Sequence, residues 1–524
     1  MAKNNLIVGT LILSFSSIFV RMIGFVFRIY LSNSLGAQGM GLYSLIMSLY
    51  MLCANVATSG ISGGVSKLVA EEMLHNNVAN ARRILKRSMG LSLIISVTVG
   101  AALFLFAEPV ALHILHDVRT TLSLRLLAPS LPLMSVASCL RGYFIAARKM
   151  LNPATSQVVE QVFKMIFIMS LLGYWLPKGI EYGCALVILG ITLGEVVCFA
   201  YSALGYLFEK RKAKIAGKAT VKGVTRKLLQ FAIPVSVGSY VRSGLRLVED
   251  LLIVSGLKAY SGREDVATGT YGIMRGMVMP LLLFPLQLLS SFVITLMPEV
   301  SRLNAGGNNQ KLGRTTSKIL QYTSVIGILI VVVFMTFSYE LGIVFYKDAQ
   351  VGEMLKLLCF LCPFMCIETV SVSILQGLGE QVSSLRYNII DCVLRVIMVY
   401  LLVPKFGVNG FLWMVIASNV YTSLFNLRRL LKITQIPLKF GDWIVKPVLA
   451  ALAASQGIKL ICNLYLFKAL PVWQGLLCGS IIIVVIYLLA LLGVGSITQA
   501  DLVWIQQRMR AANKRREVSL EQVV

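Results

Sequence analysis

No stretch of the sequence reads GxxxxGK[ST], so nucleotide hydrolysis on a phosphate-binding loop would have to come from another chain. Charge is scarce at 14% of residues, and acid scarcer still, with 23 Asp and Glu against 49 Lys and Arg. A soluble globule is excluded, because 57% of the residues are hydrophobic and the mean hydropathy is +0.79. Histidine occurs three times and cysteine ten times, and neither builds a metal centre by its spacing. CFLC (Cys359, Cys362, with Cys366 a turn later) lies in an apolar run without His or carboxylate neighbours and reads as small apolar packing. HILHD (His113, His116, Asp117) has zinc-like spacing but lacks the surrounding signature of a catalytic site. No metal and no cofactor is expected.

What is present is a succession of apolar runs, each long enough to cross ~30 Å of hydrocarbon as a helix of about 20 residues. They fall near 6–32, 42–68, 87–107, 122–147, 154–176, 182–208, 228–256, 271–300, 316–346, 354–378, 385–403, 408–431, 443–467 and 472–493. The fold expected is an all-α integral membrane protein of about fourteen transmembrane helices. The first run follows only five residues, lacks a small-residue cleavage site and is expected to remain as a span. The net charge of +26 first suggests nucleic acid, but its placement excludes that partner. Basic residues crowd alternate loops: Arg82, Arg83, Lys86 and Arg87, the run from Lys210 to Lys227, Arg428 and Arg429, and Lys514 to Arg516. This asymmetry places both termini in the cytoplasm and leaves membrane lipids as a partner of the basic face.

The two halves carry a shared pattern. Residues 154–170 pair Glu160 with Lys164, residues 385–401 pair Asp391 with Arg395, and each pair follows a Leu-x-Gly element at 140–142 or 375–377. At i, i+4 on a helix these read as ion pairs that are structural, or that couple transport to an ion. The expected organisation is a lobe over 1–208, a basic cytoplasmic linker over 209–227, a second lobe over 228–432, two further helices over 443–493 and a tail over 494–524. Six spans in each lobe give both the same orientation, hence a pseudo-twofold axis along the membrane normal.

Two spans carry polar groups at mid-membrane. In the first, Thr10, Ser14, Ser17, Arg21, Gly24, Arg28 and Ser32 recur at steps of three or four and share one helix face. In the seventh, Ser236, Ser239, Ser243, Arg246 and Asp250 repeat that stripe, with Arg242 and Glu249 beside it. An Arg facing lipid at the bilayer centre costs about 2.5–3.5 kcal/mol even on insertion scales, so these faces are expected to line a water-filled vestibule. The structural alternative has Arg28 snorkelling outward and Arg21 paired with a carboxylate such as Glu160 or Glu195.

The stretches SLGAQGMGLYSL (34–45), SGGVSKLVAEE (62–72) and LRGYFIAARKMLNPATSQVVEQVFK (140–164) resemble the stage V sporulation protein B family. That family lies in the polysaccharide-exporter branch of the multidrug/oligosaccharidyl-lipid/polysaccharide superfamily and is related to lipid II flippases. The resemblance covers about 1–490 and implies a non-enzymatic, two-lobed alternating-access transporter in the bacterial cytoplasmic membrane. Its implied substrate is a polyprenyl-diphosphate-linked glycan precursor, lipid II-like and used for spore cortex peptidoglycan, with the peptidoglycan-synthesis machinery as a partner. The related flippases engage the diphosphate with arginines of their first and eighth spans, which implies Arg21 before MIGF and Arg275 in YGIMRGMVMP. Arg28 lies one residue past the second expected arginine, where Phe27 stands, so Arg242 and Arg246 join it as candidates. The rival readings are a cation-coupled multidrug exporter of the same fold and a membrane glycan polymerase. The first would want an acidic or aromatic cavity, and the second a larger outer domain than the short loops near 108–121 and 257–270 provide.

Overall fold

Apolar runs in hydrocarbon must satisfy their own backbone, and the chain does so with helices. The computed structural model describes residues 2–496 apart from 59, 76, 213–222, 307–308, 437–439 and 462–470. Most of the basic linker, most of the tail and part of the segment 443–493 therefore lie outside the described residues.

In chain order the helices are α1 (Ala2–Thr58), α2 (Ile61–Leu74), α3 (Val78–Leu105), α4 (Ala107–His113), α5 (Thr121–Leu127), α6 (Ser130–Ala146), α7 (Leu151–Trp175), α8 (Ile180–Lys212) and α9 (Val224–Ser261). There follow α10 (Glu264–Tyr271), α11 (Met279–Ala305), α12 (Asn309–Tyr346), α13 (Ala349–Leu358), α14 (Cys362–Gly377), α15 (Gln381–Phe406), α16 (Val408–Thr434), α17 (Lys446–Ile461) and α18 (Val472–Gly493). The described residues contain no strand. Each of the fourteen expected spans has a helical counterpart. Nine helices of the described residues are long and apolar enough to cross a membrane, or ten with Val118–Leu127 and Ser130–Ala146 taken as one bent span. The first of the nine, Phe15–Leu74, holds two expected spans. The helices outside the count include α9 and α15, which carry the polar stripe and the Asp391–Arg395 pair.

Two compact units form. The first comprises Ala2–Gly272 with Val399–Gly407, and the second Ile273–Met398 with the chain from Val408 onward. The first unit thus takes in α9 and α10, most of which falls within the second lobe expected over 228–432. The cause is packing: α9 lies along α1 and α2, and α10 along α1.

Inside the first unit α1 breaks at Gly36, whose φ of 67° and ψ of −176° are open to glycine alone. The break separates the first expected span from the second. Just beyond it the backbones of α1 and α10 nearly touch. A Cβ on Gly41 would overlap the Thr268 carbonyl, and one on Gly272 the Ala37 carbonyl. Small residues at such contacts let membrane helices approach without a hydrophobic drive. The unit's core gathers Val65, Val69, Leu85, Leu140, Tyr143 and Leu228, with Tyr143 edge-on to Tyr206 at 5.4 Å. In the second unit α17 and α18 pack on α12 through Ala450, Ala454, Ile483 and Tyr487 against Val325 and Ile328.

Candidate functional site

The arginine stripe of α1 lies along α7. Arg21 and Arg28 are both half-buried, and a Cβ on Gly24 between them would stand 3.5 Å from Gln161 Nε2 of α7. Ser32, the end of the stripe, is buried, while the side chains of Thr10 and Ser14 lie outside the described residues. One residue turns an α-helix by roughly 100°, which separates Phe27 from Arg28. Phe27 joins the core and stacks on Tyr30 at 6.4 Å, whereas Arg28 remains on the half-buried stripe.

Beside the stripe is a cavity of about 270 Å³ that Val20 of α1 closes on one side. Its polar wall is Ser138 and Arg141 of α6, Gln157, Glu160 and Gln161 of α7, and Glu195 of α8. Lys164 Nζ approaches Glu160 Oε1 at 3.8 Å, and Arg141 donates to Cys198 Sγ at 3.9 Å. Ligand atoms of Glu160, Glu195 and Cys198 lie within 4.8 Å of one another. The sequence alone marks Glu195 only as a possible partner for Arg21 and does not mark Arg141. The available signal was a carboxylate in the otherwise apolar run GITLGEVVCFA.

The second unit holds a comparable cluster with tighter geometry. Arg395 Nε donates to Asp391 Oδ2 at 3.0 Å and lies 2.6 Å from Ser418 Oγ, while the Ser418 hydroxyl donates to Asp391 Oδ1 at 2.5 Å. Thr422 donates to Glu368 Oε2 at 3.0 Å beside them. Glu368, Ser418 and Thr422 have no sequence pattern that marks them, since α14 and α16 bring them to Asp391 from outside its own helix. Asp391 is 5% exposed, so Asp391→Asn strands a guanidinium and is expected to cost about 3 kcal/mol. The expected outcome is a lower yield of folded protein, read by fluorescence-detected chromatography, with transport per remaining molecule retained.

The remaining candidates are dispersed. On α9 the stripe divides: Ser243 accepts from Asn55 Nδ2 at 2.6 Å and Asp250 from Ser48 Oγ at 2.5 Å, both against α1. Ser236, Glu249 and Asp250 are buried, whereas Arg242 and Arg246 are exposed, with Arg242 Nε donating to the Gly238 carbonyl of its own helix at 3.3 Å. Ser243 and Asp250 of the stripe therefore pack against α1. Arg275 belongs to the second unit, in a π-helical turn over Gly272–Val278, and its guanidinium lies 5.9 Å from the Phe411 ring. Of the HILHD residues, Asp117 is held by Arg119 at 2.6 Å and His113 Nδ1 lies 3.2 Å from the Pro109 carbonyl. Cys359, Cys362 and Cys366 are buried thiols.

Comparison with known proteins places this geometry. Residues 6–304 match the family described as polysaccharide biosynthesis protein, and residues 250–401 match MatE. Stage V sporulation protein B of Bacillus subtilis (strain 168) is 25% identical, covering 84% of this chain and 87% of the relative. Lipid II flippase MurJ of the same organism is 24% identical, covering 78% and 79%. A solved structure of lipid II flippase MurJ in an inward closed conformation superposes with a TM-score of 0.70 at 15% identity, covering 94% of this chain and all of that one. The fold is that of the all-α membrane transporters, and the chain belongs to the polysaccharide biosynthesis protein family, in the superfamily that also holds stage V sporulation protein B.

Proposed function

We propose that the chain is an alternating-access transporter that flips a polyprenyl-diphosphate-linked glycan precursor, lipid II-like, across the cytoplasmic membrane. Spore cortex peptidoglycan is its proposed destination and the peptidoglycan-synthesis machinery its proposed partner. One observation supports this reading most directly: Arg21 and Arg28 share a half-buried face of α1 next to a polar cavity, in a chain whose relatives include a protein named a lipid II flippase. The polyprenyl tail can stay in the bilayer, so only the headgroup needs a polar path. Seven residues separate the two arginines, about 10 Å along the axis, which suits a diphosphate and its first sugar in succession. The planar guanidinium matches phosphate oxygens two at a time, as an ammonium does not. A negative interior favours outward movement of the anionic headgroup by ~2.3 kcal/mol per charge per 100 mV.

The test is reconstitution. Purified protein in sealed vesicles should move a lipid-linked muropeptide to the opposite leaflet, where added enzyme or label reaches it. Efflux of cationic dyes without lipid movement would favour the multidrug reading, and glycan polymer made from the same lipid would favour the polymerase.

Orientation is tested separately. With both termini inside, Lys218→Cys should react with an impermeant thiol reagent only after the cells are opened, and His116→Cys should react in intact cells. External labelling at position 218 would overturn this topology.

A further inference from the structure

The HILHD segment, which belongs to neither carboxylate cluster, closes a second cavity of the first unit, of about 250 Å³, between α1, α9, α10 and the turn after α4. The proposed orientation puts this end outside. Leu45, Leu115, Leu251 and Val254 supply its apolar walls, with Leu45 and Leu115 buried, whereas His116, Ser255, Lys258 and Glu264 are exposed at its mouth. Leu251, Val254, Ser255 and Lys258 share one face of α9 at steps of three and four. The backbone contact of Gly41 with Thr268, one turn before Leu45, holds the α1 and α10 walls at fixed spacing. At His116 the chain turns with a φ of 55°, a conformation that glycine takes at lower cost, and the Asp117 N–H donates to the Ala111 carbonyl at 3.0 Å.

The charges at the mouth define the occupant. Asp117 is committed to Arg119, whose Nε and Nη2 donate to it at 2.9 and 2.6 Å. Lys258 Nζ donates to Glu264 Oε2 at 2.5 Å, and these two side chains are 51% and 45% exposed. An ion pair so exposed contributes little, so opening it costs little. A lone anion on Lys258 would stand as a like charge beside Glu264, and a lone cation on Glu264 would do the same beside Lys258. A molecule carrying both charges exchanges one ionic contact for two. Ligand atoms of His116, Asp117 and Glu264 do not converge as those of Glu160, Glu195 and Cys198 do, so the geometry does not suit a metal ion. We infer that the cavity is a site for a small zwitterion with an aliphatic side chain, an α-amino acid. Its carboxylate meets Lys258, its ammonium Glu264, and its side chain the leucines and Val254, with His116 and Ser255 as further hydrogen-bonding groups. The volume lies below the ~300–1,000 Å³ of drug-sized pockets, which suits a molecule of that size. Lipid transport is a separate matter, and the site stands whatever headgroup the chain moves.

The experiment titrates full-length protein in detergent with L-leucine at fixed pH and ionic strength, and reads equilibrium dialysis of the labelled amino acid together with melting temperature. Saturable binding and a rise of a few degrees are expected. L-leucinamide lacks the anion, 4-methylpentanoate the ammonium and glycine the side chain, and each should bind at least about tenfold more weakly. Lys258→Gln and Glu264→Gln, at exposed positions, should also weaken leucine binding by about tenfold or more. Asp265→Asn, in the neighbouring pair with Arg263 outside the cavity, should bind as the wild type does. Absence of saturable leucine binding in the wild type, a measurement that needs no variant to fold, overturns the inference. So does an amide or acid that binds as tightly as leucine, or undiminished binding in folded Lys258→Gln.

Discussion

Arg21→Ala is expected to yield a folded, membrane-inserted protein whose transport of lipid-linked muropeptide is lower by about a hundredfold. Truncating one partner of a buried, hydrogen-bonded charge contact costs about 3 kcal/mol, and each 1.4 kcal/mol is roughly tenfold. The fold should survive, since removing a cation from the membrane interior relieves a desolvation cost. Arg21→Lys keeps the charge and loses the fork, so partial activity would assign the effect to charge and none would assign it to geometry. Arg28→Ala should be milder, because Arg28 lies nearer the outer end of its expected span and can snorkel. Flux per folded molecule in vesicles is the quantity to measure. If Arg21 served structure alone, the variant would misfold first, and removing its carboxylate partner would rescue it. A stable Arg21→Ala protein with undiminished lipid transport would defeat the proposal.

The second large effect concerns assembly rather than transport. Gly41→Val is expected to abolish folded protein, because its side chain would occupy the space of the Thr268 backbone carbonyl. Backbone cannot move aside as a flexible side chain can, so the cost should exceed about 3 kcal/mol. Gly173→Ala is the matched control: a Cβ there meets nothing within 4 Å, and alanine is the better helix former. Chromatographic yield and melting temperature in detergent decide the matter. A monodisperse Gly41→Val protein at normal yield would show that the α1–α10 contact is looser than this geometry requires.

These two expectations come from different levels of description. The α1 stripe is legible in the sequence, because a helix of 3.6 residues per turn places Arg21, Gly24 and Arg28 on one side wherever that helix packs. The i, i+4 partners are legible for the same reason, and the structure sets Glu160 beside Lys164 at 3.8 Å and Asp391 beside Arg395 at 3.0 Å. Hydropathy likewise determines that the chain is a bundle of membrane helices, since only helices satisfy such backbones in lipid.

What the sequence could not supply is the rotation and register of one helix against another. Those decide that Glu195 and Arg141 share a cavity with Glu160, that Ser418 closes over Asp391, and that Asp250 and Ser243 turn to Ser48 and Asn55 while Arg242 and Arg246 stay exposed. Membrane helices are apolar on most faces, so hydrophobic pattern does little to choose the buried one. Close contacts at small residues such as Gly41 and Gly272 choose it instead, and they exist only between segments more than two hundred residues apart.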